Sequence, residues 1–324
     1  MQKIPSCNII VNNQYEFKPG RTGQTIIMRL ERRRIFIPLI YLYMNIKITN
    51  VLSDEERLQI RRLEEICNDV DGTSNEAYLS TEINISRSYP SFFLGYKDGS
   101  LVAFLTAFMP DKSAAELTAF VHPQYRKKKN ATKLFHMAEK LYSSLNFEKL
   151  QFCIRSDSRN GLAAAKSFGS ISFDRSEYTL VLKEYSSAYQ PNALSLEKIT
   201  PENVSQFNHS AVQCYDFSER DTLAASASSK ERTAYAALYK GSPVGFFIIF
   251  HDGDKTVIHG VAVCKKLRNK GYGKLMMDLA VKEALTFGKP VSLDVDSNNG
   301  PAYHIYTLLG FAEETRTDYY NYHF

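Results

Sequence analysis

The sequence predicts an α/β protein built from two similar domains in tandem. Short runs of β-branched and aromatic residues alternate with stretches of helical periodicity from residue 44 onward. The pattern of the first half returns about 142 positions later, where Val121 falls on Val263 and Arg126 on Arg268. A repeat of that length indicates an internal duplication. We expect domains at 44–185 and 193–324, joined by a linker at 186–192.

Length and composition agree with two globular domains. The chain has 324 residues, enough for each domain to bury a core. Apolar residues make up 44% and charged residues 23%, which is typical of a soluble protein. The five cysteines are odd in number and scattered without the spacing of a metal site. We therefore predict reduced thiols, a cytoplasmic location and no metal.

The net charge of +5 belongs to residues 1–43, and residues 44–324 are formally neutral. A neutral body argues against nucleic acid as an electrostatic partner. The apolar run Ile35–Met44 is too short to span a bilayer, so no membrane partner is predicted. Because the regular pattern begins at Asn45, we expect Met44 to be the biological start. Residues 1–43 are then a disordered or wrongly assigned upstream extension.

In the first copy, hydrophobic periodicity and turn residues predict the elements in order. They are a strand at 45–51, helices at 53–67 and 75–88, strands at 92–97, 101–109 and 114–121, a helix ending at Asn146, a strand at 149–155, a helix near 160–168 and strands at 171–183. Lys97-Asp98-Gly99-Ser100 has the composition of a hairpin turn.

The second copy repeats this order. We predict a strand at 194–200, helices near 202–214 and 218–229, strands at 232–239 and 244–251, a strand, loop and helix at 256–287, a strand at 291–295, a further helix after Asn299 and a closing hairpin to Phe324. Gly288 and Pro290 follow the helix with which the segment 256–287 ends, and they are expected to terminate that helix.

A basic loop with two glycines joins the strand and the helix at 256–287. It reads Arg268-Asn269-Lys270-Gly271-Tyr272-Gly273-Lys274. Glycine lets the backbone approach a ligand without a Cβ atom in the way, and a helix start attracts anions through its free N–H groups and dipole. These residues predict a pyrophosphate site. Met276 excludes the dinucleotide fingerprint, while Arg268 and Leu275 exclude the P-loop.

A second pattern follows the predicted strand at 291–295. It reads Asn299-x-x-Ala302-x-x-x-Tyr306-x-x-Leu309-Gly310-Phe311, a cap followed by a helix with one apolar face. Together with Arg-x-x-Gly-x-Gly at 268–273, its order and separation resemble those of the GNAT N-acetyltransferase superfamily. The tandem layout is similar to that of the mycothiol synthase type.

The resemblance implies that each domain is a mixed, mostly antiparallel twisted sheet flanked by helices. It implies acetyl-CoA as the co-substrate, held by residues 268–274 and by the backbone of Val261, Ala262 and Val263, where two strands part. It further implies that Asn299 contacts the pantetheine arm and that Tyr306 faces the departing sulfur.

The first copy lacks these features. Lys129 and Ala131 stand where the second copy has Gly271 and Gly273, and a lysine side chain obstructs the close approach that a pyrophosphate needs. Its second segment, residues 160–169, is shorter and contains no tyrosine. We expect this copy to be a structural or substrate-shaping domain.

Acetyl transfer to an amine needs a deprotonated amine, donors for the developing oxyanion and a proton for the departing thiolate. We expect Tyr306 to be the general acid and His259 to be a candidate base, since imidazole titrates near neutral pH. A core aromatic and a structural histidine are the alternative interpretations. We expect direct transfer, without a covalent intermediate on Cys264.

The predicted function is acetyl-CoA-dependent N-acetylation of a primary amine on a small molecule. A non-catalytic acyl-CoA sensor and a protein or peptide N-acetyltransferase stay open as alternatives. The basic run Arg126–Lys129 of the first copy is either a solvated loop or a site for an acidic substrate tail.

Overall fold

The structure is a computed structural model that describes residues 17–19, 25–30, 33–38, 44–187, 194–215 and 223–324. The strands are β1 Phe17–Pro19, β2 Thr25–Leu30, β3 Arg33–Pro38, β4 Asn45–Thr49, β5 Phe92–Lys97, β6 Ser100–Phe108, β7 Ala115–Val121, β8 Leu150–Arg155, β9 Ser172–Leu182, β10 Ser195–Ile199, β11 Arg232–Tyr239, β12 Ser242–Asp252, β13 Lys255–Val263, β14 Val291–Asp296 and β15 Phe311–Tyr322. The helices are α1 Asp54–Asp71, α2 Asn130–Ser144, α3 Arg159–Lys166, α4 Val204–Cys214, α5 223–227, α6 Tyr272–Leu285 and α7 Gly300–Leu308.

Strands β1, β2 and β3 form a small antiparallel sheet. The other residues of 1–43 lie outside the described residues, as do 188–193, which include most of the predicted linker, and part of the predicted helix at 218–229. The expectations about the origin of residues 1–43 and about the linker stay predictions. Across the described ranges, each helix falls short of the length and apolar character needed to cross a bilayer.

The chain divides into two compact units, and the division cuts through two long strands. The first unit comprises Met1–Asp174 and Asp318–Phe324, and the second comprises Arg175–Thr317. β9 and β15 therefore contribute residues to both units, and the predicted domain bounds of 44–185 and 193–324 stay predictions. The predicted closing hairpin is wrong, because Phe311–Tyr322 contains no glycine or proline and continues as one strand.

In the first unit the strands lie in the order β4-β5-β6-β7-β8, with the end of β15 beside β8. From β4 to β7 each strand is antiparallel to its neighbour, while β7 and β8 are parallel. Alternate strand residues face opposite sides. Thus Phe93 and Leu105 pack in one buried cluster with α2, and Phe92 and Phe104 pack in another with α1.

Helix α1 begins within one residue of the prediction and continues to Asp71, four residues beyond the predicted end at 67. Ser53 and Glu56 form a capping box, in which each side chain accepts a hydrogen bond from the other residue's N–H group. Such a cap stabilises a helix by about 1 kcal/mol. Gly72 ends the helix with φ +66°, a conformation that costs glycine little.

The predicted helix at 75–88 is wrong, since residues 73–91 form an irregular segment of turns. Side chains of α1 bind its backbone: the Ala77 N–H donates to Glu64 Oε1 at 2.7 Å, and Arg57 donates to the Leu79 carbonyl at 3.1 Å. These tertiary hydrogen bonds satisfy the backbone without a helix.

The second unit repeats the architecture in the order β10-β11-β12-β13-β14-β9. β13 and β14 are the parallel pair. Phe247 and Ile249 pack with α6, while Phe246 and Ile248 pack with α4. The predicted α/β fold of two tandem domains, each with a mixed sheet flanked by helices, is confirmed.

Candidate active site

The parallel strands β13 and β14 pair only where they begin. Thr256 is in register with Val291 and Val257 with Ser292, although β13 continues to Val263. Beyond these two pairs the strands part and leave a wedge-shaped opening. The later residues of β13 therefore have one edge without a strand partner among the described residues.

A β-bulge in β13 lies at this opening. Phe246 pairs with Ala262 but Ile248 pairs with His259, so the register shifts between them. Gly260, inside the shifted stretch, has φ +58°, which glycine adopts without steric cost. The Tyr215 hydroxyl donates a short hydrogen bond to the Gly260 carbonyl and holds the bulge.

The bulge sets which backbone groups face the opening. The Cys264 N–H donates to the Val244 carbonyl at 2.9 Å. Because hydrogen-bonding direction alternates along an antiparallel strand, Ala262 also faces β12. The N–H groups of Val261 and Val263 then point toward the open edge.

The glycine loop follows β13 directly and opens helix α6. Asn269 has φ +60° and Gly271 has φ +85°. No hydrogen bond joins the N–H groups of Gly271, Tyr272 or Gly273 to another described residue. A Cβ atom added to Gly271 would meet no atom within 4 Å, so this turn faces open space. The geometry is that of an anion site at a helix start.

The basic residues of the loop have two different roles. Arg268 donates to the carbonyls of Val263 at 3.1 Å and Cys214 at 3.4 Å, so its guanidinium braces the loop. Lys270 and Lys274 form no ion pair with the described residues. Their charges add to the positive potential of the helix start.

Helix α7 carries the second sequence pattern to the same place. A Cβ atom on Gly273 would lie 3.5 Å from Ile305 Cδ1 and 3.7 Å from Val263 Cγ2. Asn299 caps α7, with its Oδ1 atom accepting from the Ala302 N–H at 3.3 Å. The loop, the end of β13 and the middle of α7 therefore adjoin one another.

Tyr306 is buried in the apolar cluster against which Val261 and Val263 pack. Its hydroxyl forms no hydrogen bond with the other described residues. Burial raises the pKa of the Tyr306 phenol to about 12, so it carries its proton at neutral pH.

His259 lies on the other face of the sheet. It pairs with Ile248, which packs with α4, whereas Val261 packs with α6 because of the bulge. Its Nε2 atom is buried without a hydrogen-bond partner among the described residues. Burial, helped by the nearby charge of Arg232, lowers the pKa of His259 to about 3, so the ring is neutral at physiological pH.

The cysteines differ from the expectation of scattered free thiols. Cys214 ends α4 and Cys264 follows β13, and a disulfide joins them. The two residues are 50 positions apart, so their meeting depends on the fold. Cys264 therefore has no free thiol in this structure, and Cys67 and Cys153 form no disulfide with another described residue.

The family model described as acetyltransferase (GNAT) family matches the chain twice, at residues 57–169 and 196–311. The chain belongs to the GNAT acetyltransferase family. It is an acyltransferase with two tandem GNAT domains, as the sequence predicted.

Solved structures show the same fold. A GCN5-related N-acetyltransferase from Sphaerobacter thermophilus has a TM-score of 0.64 at 17% identity, covering 82% of this chain and 91% of that one. A tandem GNAT protein from the clavulanic acid biosynthesis pathway has a TM-score of 0.62 at 16% identity, with 86% and 98% covered. A fungal multi-domain GH3 β-N-acetylglucosaminidase contains a GCN5-related glucosamine N-acetyltransferase region. Its structure has a TM-score of 0.64 at 11% identity, and the match covers 86% of this chain and 38% of that one. No curated protein matched the chain.

In this GNAT protein two residues that shape the opening were not predicted from the sequence. Gly260 lies inside a predicted strand, and an isolated glycine there is a signal for a bulge. Tyr215 had no local signal, because it reaches Gly260 from 45 positions away.

Proposed function

We propose that the protein transfers the acetyl group of acetyl-CoA directly to the primary amine of a small molecule. The observation that supports this most is the opening of the second unit, where free backbone N–H groups of Val261 and Val263 adjoin the free N–H groups of residues 271–273. An extended ligand with amides at one end and a pyrophosphate at the other matches those two sets of donors.

The residues present fit acetyl-CoA. Gly271 leaves room for the pyrophosphate at the loop, and Lys270 and Lys274 add charge there. Val261 and Val263 offer N–H groups to the amides of the pantetheine arm, and the Nδ2 group of Asn299 is left over from its capping role. Acetyl-CoA supplies an acetyl group activated toward amines and a thiolate leaving group.

Tyr306 donates a hydrogen bond to the departing sulfur in this proposal. A phenol with a pKa of about 12 stays protonated, so the donor is always available. Full proton transfer to a thiolate with a pKa near 8.5 is uphill, so Tyr306 acts mainly by stabilising the charge that develops on sulfur.

His259 takes a limited part in the proposal. A neutral ring with an unpartnered Nε2 atom can exchange a hydrogen bond with the amine or with a water that relays its proton. With a pKa of about 3 it cannot hold that proton at neutral pH, so the proton must pass on to solvent.

A small-molecule acceptor is favoured over a protein by the names of two similar structures. One belongs to the clavulanic acid biosynthesis pathway, and the other carries a glucosamine N-acetyltransferase region. Both align with 86% of this chain, which includes both tandem domains.

Replacing Tyr306 with phenylalanine separates an enzyme from an acyl-CoA sensor. We expect kcat for thiol release to fall by about 100-fold, with the Kd of CoA unchanged, because the hydroxyl acts on the departing sulfur. Tyr303→Phe is the matched control, since the Tyr303 hydroxyl donates to Glu313 at 2.6 Å. Full turnover in Tyr306→Phe, or CoA binding without thiol release in the wild type, would contradict the proposal.

An acceptor screen tests the substrate class. Thiol release from acetyl-CoA is measured with aminoglycosides, polyamines, amino acids and peptides. We expect release with amines of low molecular mass. Release with peptides alone would favour the protein or peptide N-acetyltransferase instead.

A further inference from the structure

Asp294 and His259 flank the opening of the second unit on one face of its sheet. The last pair of the two parallel strands joins Val257 to Ser292. His259 and Asp294 each follow that pair by two residues, and residues two apart on a strand project from the same face. One side chain therefore stands on each side of the opening, His259 on β13 and Asp294 on β14.

This face is the reverse of the one that carries Tyr306. Ile258 and Leu293 pack in the apolar cluster that contains Tyr306. Each of them precedes one of the flanking residues by one position, so His259 and Asp294 project to the other side. In the proposed reaction the departing sulfur lies on the Tyr306 face. The acceptor amine then reaches the acetyl carbonyl from the face of His259 and Asp294.

The fold uses only part of the hydrogen-bonding capacity of Asp294. The Thr179 hydroxyl of β9 donates to Asp294 Oδ1 at 2.7 Å. The Oδ2 atom has no hydrogen-bond or ion-pair partner in the part of the chain that the structure describes. Asp296, the next carboxylate on this face of β14, is occupied instead, since it accepts from the Asn298 N–H at 2.7 Å and lies 3.6 Å from Arg175 Nε.

Asp294 is a better proton acceptor than His259. With a pKa of about 3, the His259 ring cannot hold a proton at neutral pH. The atoms packed around the carboxyl group raise the pKa of Asp294, although the hydrogen bond from Thr179 and the charge of Lys255 lower it in part. Lys255 on β13 and Glu177 on β9 project from the same face. A carboxyl group with a raised pKa is a stronger base than an ordinary one.

The first copy has no carboxylate at the equivalent position. Its strand β8 corresponds to β14, and the two begin their parallel pairing at Leu150 and Val291. Three residues further along, β8 has Cys153 where β14 has Asp294. The acid is therefore present in the copy whose glycine loop is open to a ligand.

We propose that Asp294 accepts the proton of the acceptor amine and is thus a catalytic residue, an inference that rests on the proposed function. The ammonium group gives one proton to Asp294 Oδ2 and becomes a free amine. Its lone pair forms the C–N bond, the C–S bond breaks, and a second proton passes from nitrogen to sulfur. The Asp294 side chain is open to solvent and returns its proton to water. One ammonium ion and one thioester give one amide, one thiol and one proton.

The pH dependence of thiol release in Asp294→Asn tests this. The probes are spermidine, tobramycin and lysine, and those that support turnover are used in the pH series. For the wild type we expect kcat/KM to be level between the pKa of Asp294 and that of the amine, near ~10. The variant must wait for the free amine. Its kcat/KM should rise about tenfold per pH unit and lie about 100-fold below the wild type at about pH 7.5.

Two further variants separate a catalytic role from a structural one. Asp296→Asn is the matched control on the same strand and face, and it should keep the level profile and a kcat/KM within about twofold of the wild type. Thr179→Val removes the donor to Asp294 Oδ1, so the pKa of Asp294 should rise and the acid limb of the profile should move to higher pH. The Kd of CoA should stay unchanged in all three variants.

A wild-type profile in Asp294→Asn, or an unmoved acid limb in Thr179→Val, would overturn this inference and leave acetyl transfer intact. The second variant keeps the test decisive if Asp294→Asn fails to fold. No thiol release from the wild type with any amine would instead overturn the proposed function, and this inference with it.

Discussion

The two copies share the backbone of their loops but differ in the residues that form it. Lys127 and Lys129 of the first copy have φ +59°, and Asn269 and Gly271 of the second have φ +60° and +85°. The loop conformation is therefore common to both. At the second of these positions the first copy has Lys129 and the second copy has Gly271. Only Gly271 leaves the turn open to a ligand.

The arginine of the loop shows a second difference. In both copies its Nε atom donates to the carbonyl five residues earlier, Arg126 to Val121 at 2.9 Å and Arg268 to Val263 at 3.1 Å. In the first copy Asp71 also binds Arg126 through both carboxylate oxygens, at 2.7 and 2.8 Å. A carboxylate of the protein itself is the anion beside this loop.

The strands before the loops differ as well. β6 and β7 stay in register from Ala103–Val121 to Phe108–Glu116, whereas β12 and β13 shift at the bulge. Thr118 occupies the place of Gly260. The opening in the second copy therefore depends on Gly260, on Gly271 and on the bulge, while the surrounding fold is the same in both copies.

Transferring the threonine into the second copy should have the largest effect. In Gly260→Thr a β-branched residue would have to adopt φ +58°, with its Cβ atom 3.1 Å from Ile248 Cδ1. We expect the bulge to be lost and kcat/KM for thiol release to fall about 100-fold, because the Val261 and Val263 N–H groups would be displaced.

The reciprocal change Thr118→Gly is the control. It should leave kcat/KM unchanged and lower the free energy of unfolding by about 0.5–1 kcal/mol. Wild-type kcat/KM in a folded Gly260→Thr variant would show that the bulge does not matter for transfer.

Transferring the lysine should have an intermediate effect. In Gly271→Lys a side chain enters the open space at a residue with φ +85°. We expect the KM for acetyl-CoA to rise about tenfold, with a smaller change in kcat, because the variant loses binding rather than the chemical step. Lys129→Gly is the matched control, and an unchanged KM in Gly271→Lys would argue against the loop as the pyrophosphate site.

The smallest expected effect on activity concerns His259, which should act instead on the pH dependence of stability. Its folded pKa of about 3 lies below its usual value, so the unfolded chain binds a proton that the folded protein does not. His259 therefore makes the free energy of unfolding rise with pH between about 3 and 6.5, and it adds no slope above that range.

Urea unfolding at pH 4.5 and 7.5 checks this. His259→Gln should narrow the difference in stability between the two pH values, and His304→Gln, an exposed histidine on α7, should not. If His259→Gln kept the full difference, the buried neutral ring would be ruled out. We also expect that His259 causes no change of kcat/KM with pH near pH 6.5.

Local sequence was sufficient to predict most helices and strands and the glycine loop at 268–274. The start of helix α1 was predictable because Ser53 and Glu56 form its cap through neighbouring contacts. The segment at 75–88 was not, because its backbone is bound by side chains of α1 that lie 13 and 22 residues away. The pairing of Cys214 with Cys264 likewise had no local signal.

The sequence by itself determined the duplication, the family and the loop with its two glycines, because each is written in the spacing of neighbouring residues. The tertiary structure alone decided that His259 and Val261 face opposite sides, and that Tyr215 holds the Gly260 bulge. It also decided how β9 and β15 divide between the two units. Burial, pKa and strand register arise from contacts between distant residues, and the spacing of neighbouring residues carries no record of them.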